Sequence, residues 1–160
     1  MKSNVFCDQL KQLGYDFFTG VPDSTMKGTF QILEADPDVD YVVSVNESLA
    51  CGIAFGAAMA GRKVCMLMQN SGFGEAINAL ASLSMLYASP TLIVVGWRGH
   101  DGKDAIEHLI MGRTTLQLMD TLGLPYVVAE AETFAEDVAR AAGLAADRPA
   151  ALIIRPGMMK

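Results

Sequence analysis

The sequence predicts an α/β fold: a doubly wound, six-stranded, mainly parallel sheet with helices on both faces. Three observations carry that expectation. Short β-rich runs alternate with longer helical patterns along the whole chain. The apolar runs are unbroken instead of alternating with polar residues, as strands covered on both faces require. The chain has 160 residues, 51% of them apolar and 19% charged, enough for one well-packed core and too little for two ordinary ones. Residues 1–160 therefore read as a single domain.

The opening segment sets Val5, Phe6, Leu10 and Leu13 at helical spacing among polar residues, which predicts an amphipathic helix and lacks the continuous apolar stretch of a signal peptide. The first strand is "DFFTGV". The loop "TGVPDST" follows, with Asp23 or Ser24 suited to cap a helix near 24–35. After the turn "EADPDVD" comes "YVVSV", a strand-like apolar segment that leads straight into Glu47 and a small-residue helix over 47–60. Ser44 to Glu47 fits a capping box. "KVCMLM" is the third strand, and "QNSGFGE" leads into a helix over 73–87 with Ser71 as its cap. "TLIVVGW" and the loop "GWRGHDGKDAIEH" precede a helix over 106–122. "LPYVVA", a helix over 133–146 and "PAALIIR" complete the alternation.

A formal charge of −6 with no basic cluster argues against a nucleic-acid surface or an anionic membrane. No segment is long enough to span a bilayer. Cys7, Cys51 and Cys65 are odd in number and form no C-x-x-C pair, so a reduced, cytoplasmic protein is the economical reading.

In a parallel sheet the loops after the strands' carboxyl ends gather on one edge, where ligands bind. Glu47, between an apolar strand and a small-residue helix, is poorly hydrated there. Its pKa should rise, so that it can remain protonated as a donor, although a helix-capping role fits the same position. Gly72 and Gly74 suggest a nucleotide loop only superficially, because no Lys-Ser/Thr follows and Ile77 stands where a third glycine would be. The fourth loop gathers Trp97, Arg98, His100, Asp104, Glu107 and His108, at a spacing that matches no established zinc pattern. His108 lies four residues after Asp104, where a carboxylate can orient its imidazole.

The stretches "FFTGVPDS", "NESLACGIAFGAAMAGRKVCMLMQNSGFGEAINALASL", "PTLIVVGWRG" and "DAIEHLIMGR", in that order, resemble the pyrimidine-binding domain of thiamine diphosphate-dependent 2-oxo acid decarboxylases. Within that superfamily the resemblance is strongest to the phosphonopyruvate decarboxylases and the sulfopyruvate decarboxylase alpha subunits. It implies that Glu47 hydrogen-bonds a ring nitrogen of the cofactor's aminopyrimidine and controls its tautomer. It places Asn70, Ser71 and Gly72 at the cofactor, and Asp23 and His108 at its reactive end as catalytic groups. Asp23, Ser24 and Arg98 become candidates for the substrate, Arg98 for its anionic head, with pairing to Asp101 or Asp104 an equal alternative for the guanidinium. Where the phosphonopyruvate enzymes read like "DEPQH", this chain reads "DAIEH", with Ala105 and Ile106 replacing an acid and a proline.

The G-D-G motif that holds Mg2+ and diphosphate in such enzymes is not in this sequence. The resemblance therefore implies a separate beta subunit carrying the metal ligands, a hetero-oligomer, and strand-end loops lying in the subunit interface. Ala50, Gly52, Ala54, Gly56, Ala57 and Ala58 would let another helix approach there, or serve packing on the chain's own sheet. The expected reaction converts 3-phosphonopyruvate to phosphonoacetaldehyde and CO2. 3-Sulfopyruvate is the close alternative, and a non-catalytic nucleotide-binding or regulatory subunit the distant one.

Overall fold

A computed structural model describes residues 1–159. Six strands form one all-parallel sheet: β1 (Phe17–Gly20), β2 (Asp40–Val43), β3 (Val64–Gln69), β4 (Thr91–Gly96), β5 (Tyr126–Val128) and β6 (Pro149–Ile154). Their spatial order is β2-β1-β3-β4-β6-β5. The six main helices are α1 (Ser3–Gln12), α2 (Lys27–Ala35), α3 (Glu47–Met59), α4 (Asn70–Ala79), α5 (Leu109–Leu122) and α6 (Phe134–Leu144).

The central strands divide their side chains between two cores at a period of two. Cys65 and Leu67 of β3, Leu92 and Val94 of β4, and Leu152 and Ile154 of β6 pack with α1, α2 and α6 through Phe6, Phe30 and Phe134. Val64, Met66 and Met68, then Ile93 and Val95, and Ile153 pack on the other face with α3, α4 and α5 through Cys51, Phe73 and Met119. This is the two-sided burial that unbroken apolar strands call for. Truncating a fully buried residue such as Leu67 to alanine costs about 2–5 kcal/mol, from lost transfer energy plus the cavity.

The run "YVVSV" departs from that pattern. β2 is the sheet's edge, and Val43 is 54% and Val45 84% exposed. Valines alone do not say which strand is outermost, so an apolar run that reads as core lies at the rim.

Two helix starts also differ from expectation. Asn46 caps α3, its side-chain oxygen accepting from Leu49 N–H at 2.8 Å, while Ser44 Oγ donates to the Asn46 carbonyl at 2.8 Å. The capping box therefore gives way to an Asx cap two residues later. α4 begins at Asn70, which puts Ser71 inside its first turn, and it runs on through a π-helical segment, Leu80–Met85. Asp23 caps the short 3-10 turn Ser24–Met26 that leads into α2.

The loops after β1 and β3 leave from neighbouring strands, and the connections around them run in opposite directions across the sheet. In an open α/β sheet that is the switch point where a ligand crevice forms.

Candidate active site

Glu47 begins α3 and is 7% exposed. Its seat is Gly72, in the first turn of α4. A Cβ at residue 72 would overlap the Glu47 carboxyl group, so the close approach of acid and helix requires glycine. Burial pushes the Glu47 carboxyl above its ordinary pKa; a backbone hydrogen bond at the helix start opposes the shift, and the charge of Glu75 adds to it. No cation pairs with Glu47 among the described residues. The arrangement can keep a proton on a carboxyl group at a pH where an exposed one has lost it.

Asp23 follows β1. Its Oδ1 accepts from Thr25 N–H at 2.6 Å and from the Thr25 hydroxyl. Its Oδ2 is shut from solvent and has no hydrogen-bond partner among the described residues. Gly96, the last residue of β4, lets this loop lie flat across the neighbouring strand end. A Cβ there would run into the Thr25 hydroxyl and stand 3.3 Å from Asp23 Oδ2. A buried carboxylate oxygen without a donor is an invitation to a ligand's donor.

Asn70 is fully buried and engaged on both sides of its amide. Nδ2 donates to the Arg98 carbonyl at 2.9 Å and to Thr115 Oγ1 at 3.0 Å, and Oδ1 accepts from Arg98 N–H at 3.0 Å. It clamps the fourth loop to α4 and α5. Ser71 accepts a hydrogen bond from the Gln69 side chain.

Arg98 pairs with Asp104. Nε and Nη2 grip both oxygens of Asp104 at 2.7 Å each, and Nη1 donates to Ser24 Oγ at 3.0 Å. Asp104 further accepts from the amides of Gly99 at 2.9 Å and Ala105 at 2.8 Å. The Arg98 guanidinium, and then those amides, hold the Asp104 carboxyl far below the ordinary range.

With Asp104 so engaged, it does not orient His108. The carboxylate-paired imidazole is His100, whose Nδ1 lies 3.0 Å from Asp101 and whose ring meets Trp97 edge-on at 4.4 Å. His108 ends the 3-10 turn Ile106–His108, half-buried, at the entry to α5. Trp97 Nε1 donates to the Gly112 carbonyl at 2.8 Å, and Gly99 lies so close to Gly112 that a side chain on either would overlap the other segment's backbone.

The structure thus brings Asp23, Ser24, Asn70 and Arg98 into one hydrogen-bonded region at the switch point, with Glu47 and Gly72 paired on the adjoining helices. Thr25, Gly96 and Thr115 are parts of it that the sequence reading missed. The signal for Gly96 was present: a glycine ending a strand of bulky residues marks close backbone approach.

A family model described as "Thiamine pyrophosphate enzyme, N-terminal TPP binding domain" matches residues 2–124. The sulfopyruvate decarboxylase subunit alpha of Methanococcus maripaludis is 40% identical over 114 residues, covering 71% of this chain and 68% of that protein. A phosphonopyruvate decarboxylase of Streptomyces viridochromogenes is 36% identical over 112 residues, 69% of this chain but 28% of that protein. The benzoylformate decarboxylase of Polynucleobacter necessarius superposes with a TM-score of 0.70 at 21% identity, over 96% of this chain and 29% of that one, which establishes the shared fold. The chain belongs to the thiamine pyrophosphate enzymes, as an N-terminal TPP-binding domain of the decarboxylase kind.

Proposed function

We propose that this chain is the pyrimidine-binding alpha subunit of a thiamine diphosphate-dependent decarboxylase that converts 3-sulfopyruvate to sulfoacetaldehyde and CO2. The observation that carries the reading is Glu47 seated on Gly72: a buried acid at the start of a helix, with room for nothing larger than glycine behind it. Thiamine diphosphate, when bound, supplies a ring that accepts the electron pair left by departing CO2.

This chain's residues then have distinct tasks. Glu47 holds or releases a proton at a ring nitrogen of the pyrimidine, and its burial sets that proton's affinity. Gly72 and Ser71, in the first turn of α4 beside Glu47, would help to hold the pyrimidine. Asn70 keeps that turn and the fourth loop in register. The unpartnered Oδ2 of Asp23 accepts a hydrogen bond at the reacting end, with Ser24 beside it, and His108 moves a proton there. Arg98 reaches the substrate's surroundings through Ser24 and shapes the pocket.

The preference for the sulfonate acid rests on the relatives. Three sulfopyruvate decarboxylase alpha subunits are 36–40% identical to this chain and are matched over 68–71% of their own lengths. The phosphonopyruvate decarboxylases are matched over 27–28% of theirs, and 3-phosphonopyruvate is the second reading. A beta subunit would carry the diphosphate site and the Mg2+ ligands. The exposed Val43, Val45 and Leu49 around Glu47 suit burial by that partner.

The test is reconstitution. The chain alone and with its beta subunit, each with thiamine diphosphate and magnesium, is assayed for aldehyde from both oxo acids. Turnover only in the mixture, faster with sulfopyruvate, is the expected result. Full turnover by the chain alone would sink the two-subunit reading, and a preference for phosphonopyruvate would reverse the substrate assignment.

A further inference from the structure

Arg98, the cation nominated for the substrate's anionic tail, has its guanidinium engaged by Asp104 and Ser24. The structure provides another. A groove of about 530 Å³ runs between α2 and the edge strand β2, and Asp23, Ser24, Lys27, Glu34 and Tyr41 stand on its walls, with Phe30 beside the Tyr41 ring. We propose that this groove receives the sulfonate end of the substrate, with Lys27 as its counter-ion and the Ser24 and Tyr41 hydroxyls as donors. The proposal rests on the decarboxylase reading and names the residues that would set its specificity.

Four features of the groove support it. Lys27 is exposed and makes no ion pair or hydrogen bond among the described residues, so its ammonium group is available. Ser24 Oγ accepts from Arg98, which leaves its own proton free to donate. The Tyr41 hydroxyl is shut from solvent and has no partner among the described residues, a state that a ligand oxygen would relieve. Asp23 and Ser24 are a shared wall, since they also belong to the switch-point region beside Gly96 and Arg98.

The charges facing the groove decide between tails. Among the described residues Lys27 is the one cation on its walls, and Asp23 and Glu34 are carboxylates. With two carboxylates against one ammonium the described walls are net negative, so the single charge of a sulfonate, taken up by Lys27 and the two hydroxyls, is opposed less than a doubly charged tail. A fully ionised phosphonate carries two, and the second would meet the two acids without a further cation. A lysine serves a sulfonate well because a point charge needs no planar, paired acceptor geometry.

The experiment has two arms, and the first needs no catalysis. The full chain is titrated with methanesulfonate, methylphosphonate and acetate while the NMR signals of Ser24, Lys27 and Tyr41 are followed. Saturable shifts with methanesulfonate, weaker ones with methylphosphonate, and an affinity lower by about tenfold in Lys27→Met, the scale of one charge-assisted contact, are expected. Tyr41→Phe should show a smaller loss and controls for any disturbance of the fold by the lysine change. Equal affinity in wild type and Lys27→Met, or equal binding of acetate, overturns the site. Tighter binding of methylphosphonate overturns its preference.

In the second arm the assembled enzyme is assayed with sulfopyruvate and pyruvate, and Lys27→Met should lower the ratio of their kcat/KM values by about tenfold, mainly through KM. If the assembled wild type decarboxylates sulfopyruvate and the ratio does not move, the groove assignment fails and the decarboxylase reading stands. If the wild type decarboxylates neither oxo acid, that reading fails and the titration still decides the groove.

Discussion

Glu47 and Asp104 are two carboxylates on one edge of one sheet, and their surroundings drive their proton affinities apart. Asp104 accepts two bonds from a guanidinium and two more from backbone amides. Glu47 is buried at the start of α3 against Gly72 of α4, and the charge of Glu75 adds to its raised pKa. The first environment stabilises the anion and the second disfavours it. One corner of the edge is thus a rigid brace held by charge, and the other is kept poor in partners so that a proton has somewhere to stay.

The strongest way to break this contrast is Glu47→Gln, which keeps the shape and removes the titratable proton. In the assembled enzyme decarboxylation should fall by about 10²–10⁴-fold, the usual contribution of acid–base catalysis, with an unchanged circular dichroism spectrum. Turnover near wild type would reduce Glu47 to a helix-start residue. Next in size is Asp104→Ala, which leaves the Arg98 guanidinium without its carboxylate in a partly buried loop. Because the pair is mostly shielded from solvent, at 21% and 13% side-chain exposure, chemical denaturation should show a loss of about 2–3 kcal/mol. A loss under about 0.5 kcal/mol would mean the brace is no stronger than a surface ion pair.

Gly72→Ala sharpens the other half. The added methyl must displace the Glu47 carboxyl group or the helix, and overpacking of this kind costs about 1–3 kcal/mol. Activity should drop with it. Combining it with Glu47→Ala, which vacates the space, should recover stability but not turnover, and additive losses would show that the two do not touch.

The pH dependence follows from the signs. The folded-state pKa of Glu47 lies above the ordinary 4.5, so its contribution to stability is present below that pH and is lost as pH rises through the raised value. That of Asp104 lies below 3.8, so its contribution is present above that pH and is lost as pH falls through the depressed value. The Tm of Glu47→Gln relative to wild type should accordingly rise as the pH is raised from about 4.5, whereas that of Asp104→Asn relative to wild type should rise on acidification below about pH 4. A flat difference for Glu47→Gln would mean that its burial is relieved in solution. The smallest effect is local: Asn46→Ala should cost about 1 kcal/mol through loss of the α3 cap.

Much of this arrangement was legible before any coordinates. Alternating strand and helix patterns gave the sheet and its ligand edge, because buried parallel strands leave no other periodicity. The burial of Glu47 followed from its neighbours along the chain. Its seat on Gly72 did not, since a contact between the starts of two helices 25 residues apart in sequence is set by how β2 and β3 flank β1. Nor did the sequence choose between Asp101 and Asp104 for Arg98, because both are within reach and only the left-handed turn at Gly99 and Asp101 decides which one folds back. His108 lost its expected partner for the same reason: Asp104 is taken by Arg98, and the imidazole that meets a carboxylate is His100, beside Asp101. Strand order, too, is invisible to hydropathy, which is why the valines of β2 read as core.

That misplaced strand has a consequence for handling the protein. β2 offers one side of its backbone unpaired, with Val42 and Val43 exposed and Val45 just beyond, which is a template for strand addition by another chain. Its protection lies at its start, where Arg62 bridges Asp16 and Asp40 at 2.9 and 2.7 Å, and in its length of four residues. A charged, short rim slows edge-to-edge growth but leaves the valine end open. Expressed without whatever normally covers that end, the chain should self-associate in a concentration-dependent way, and a lysine at Val43 should act as a gatekeeper that keeps it dispersed.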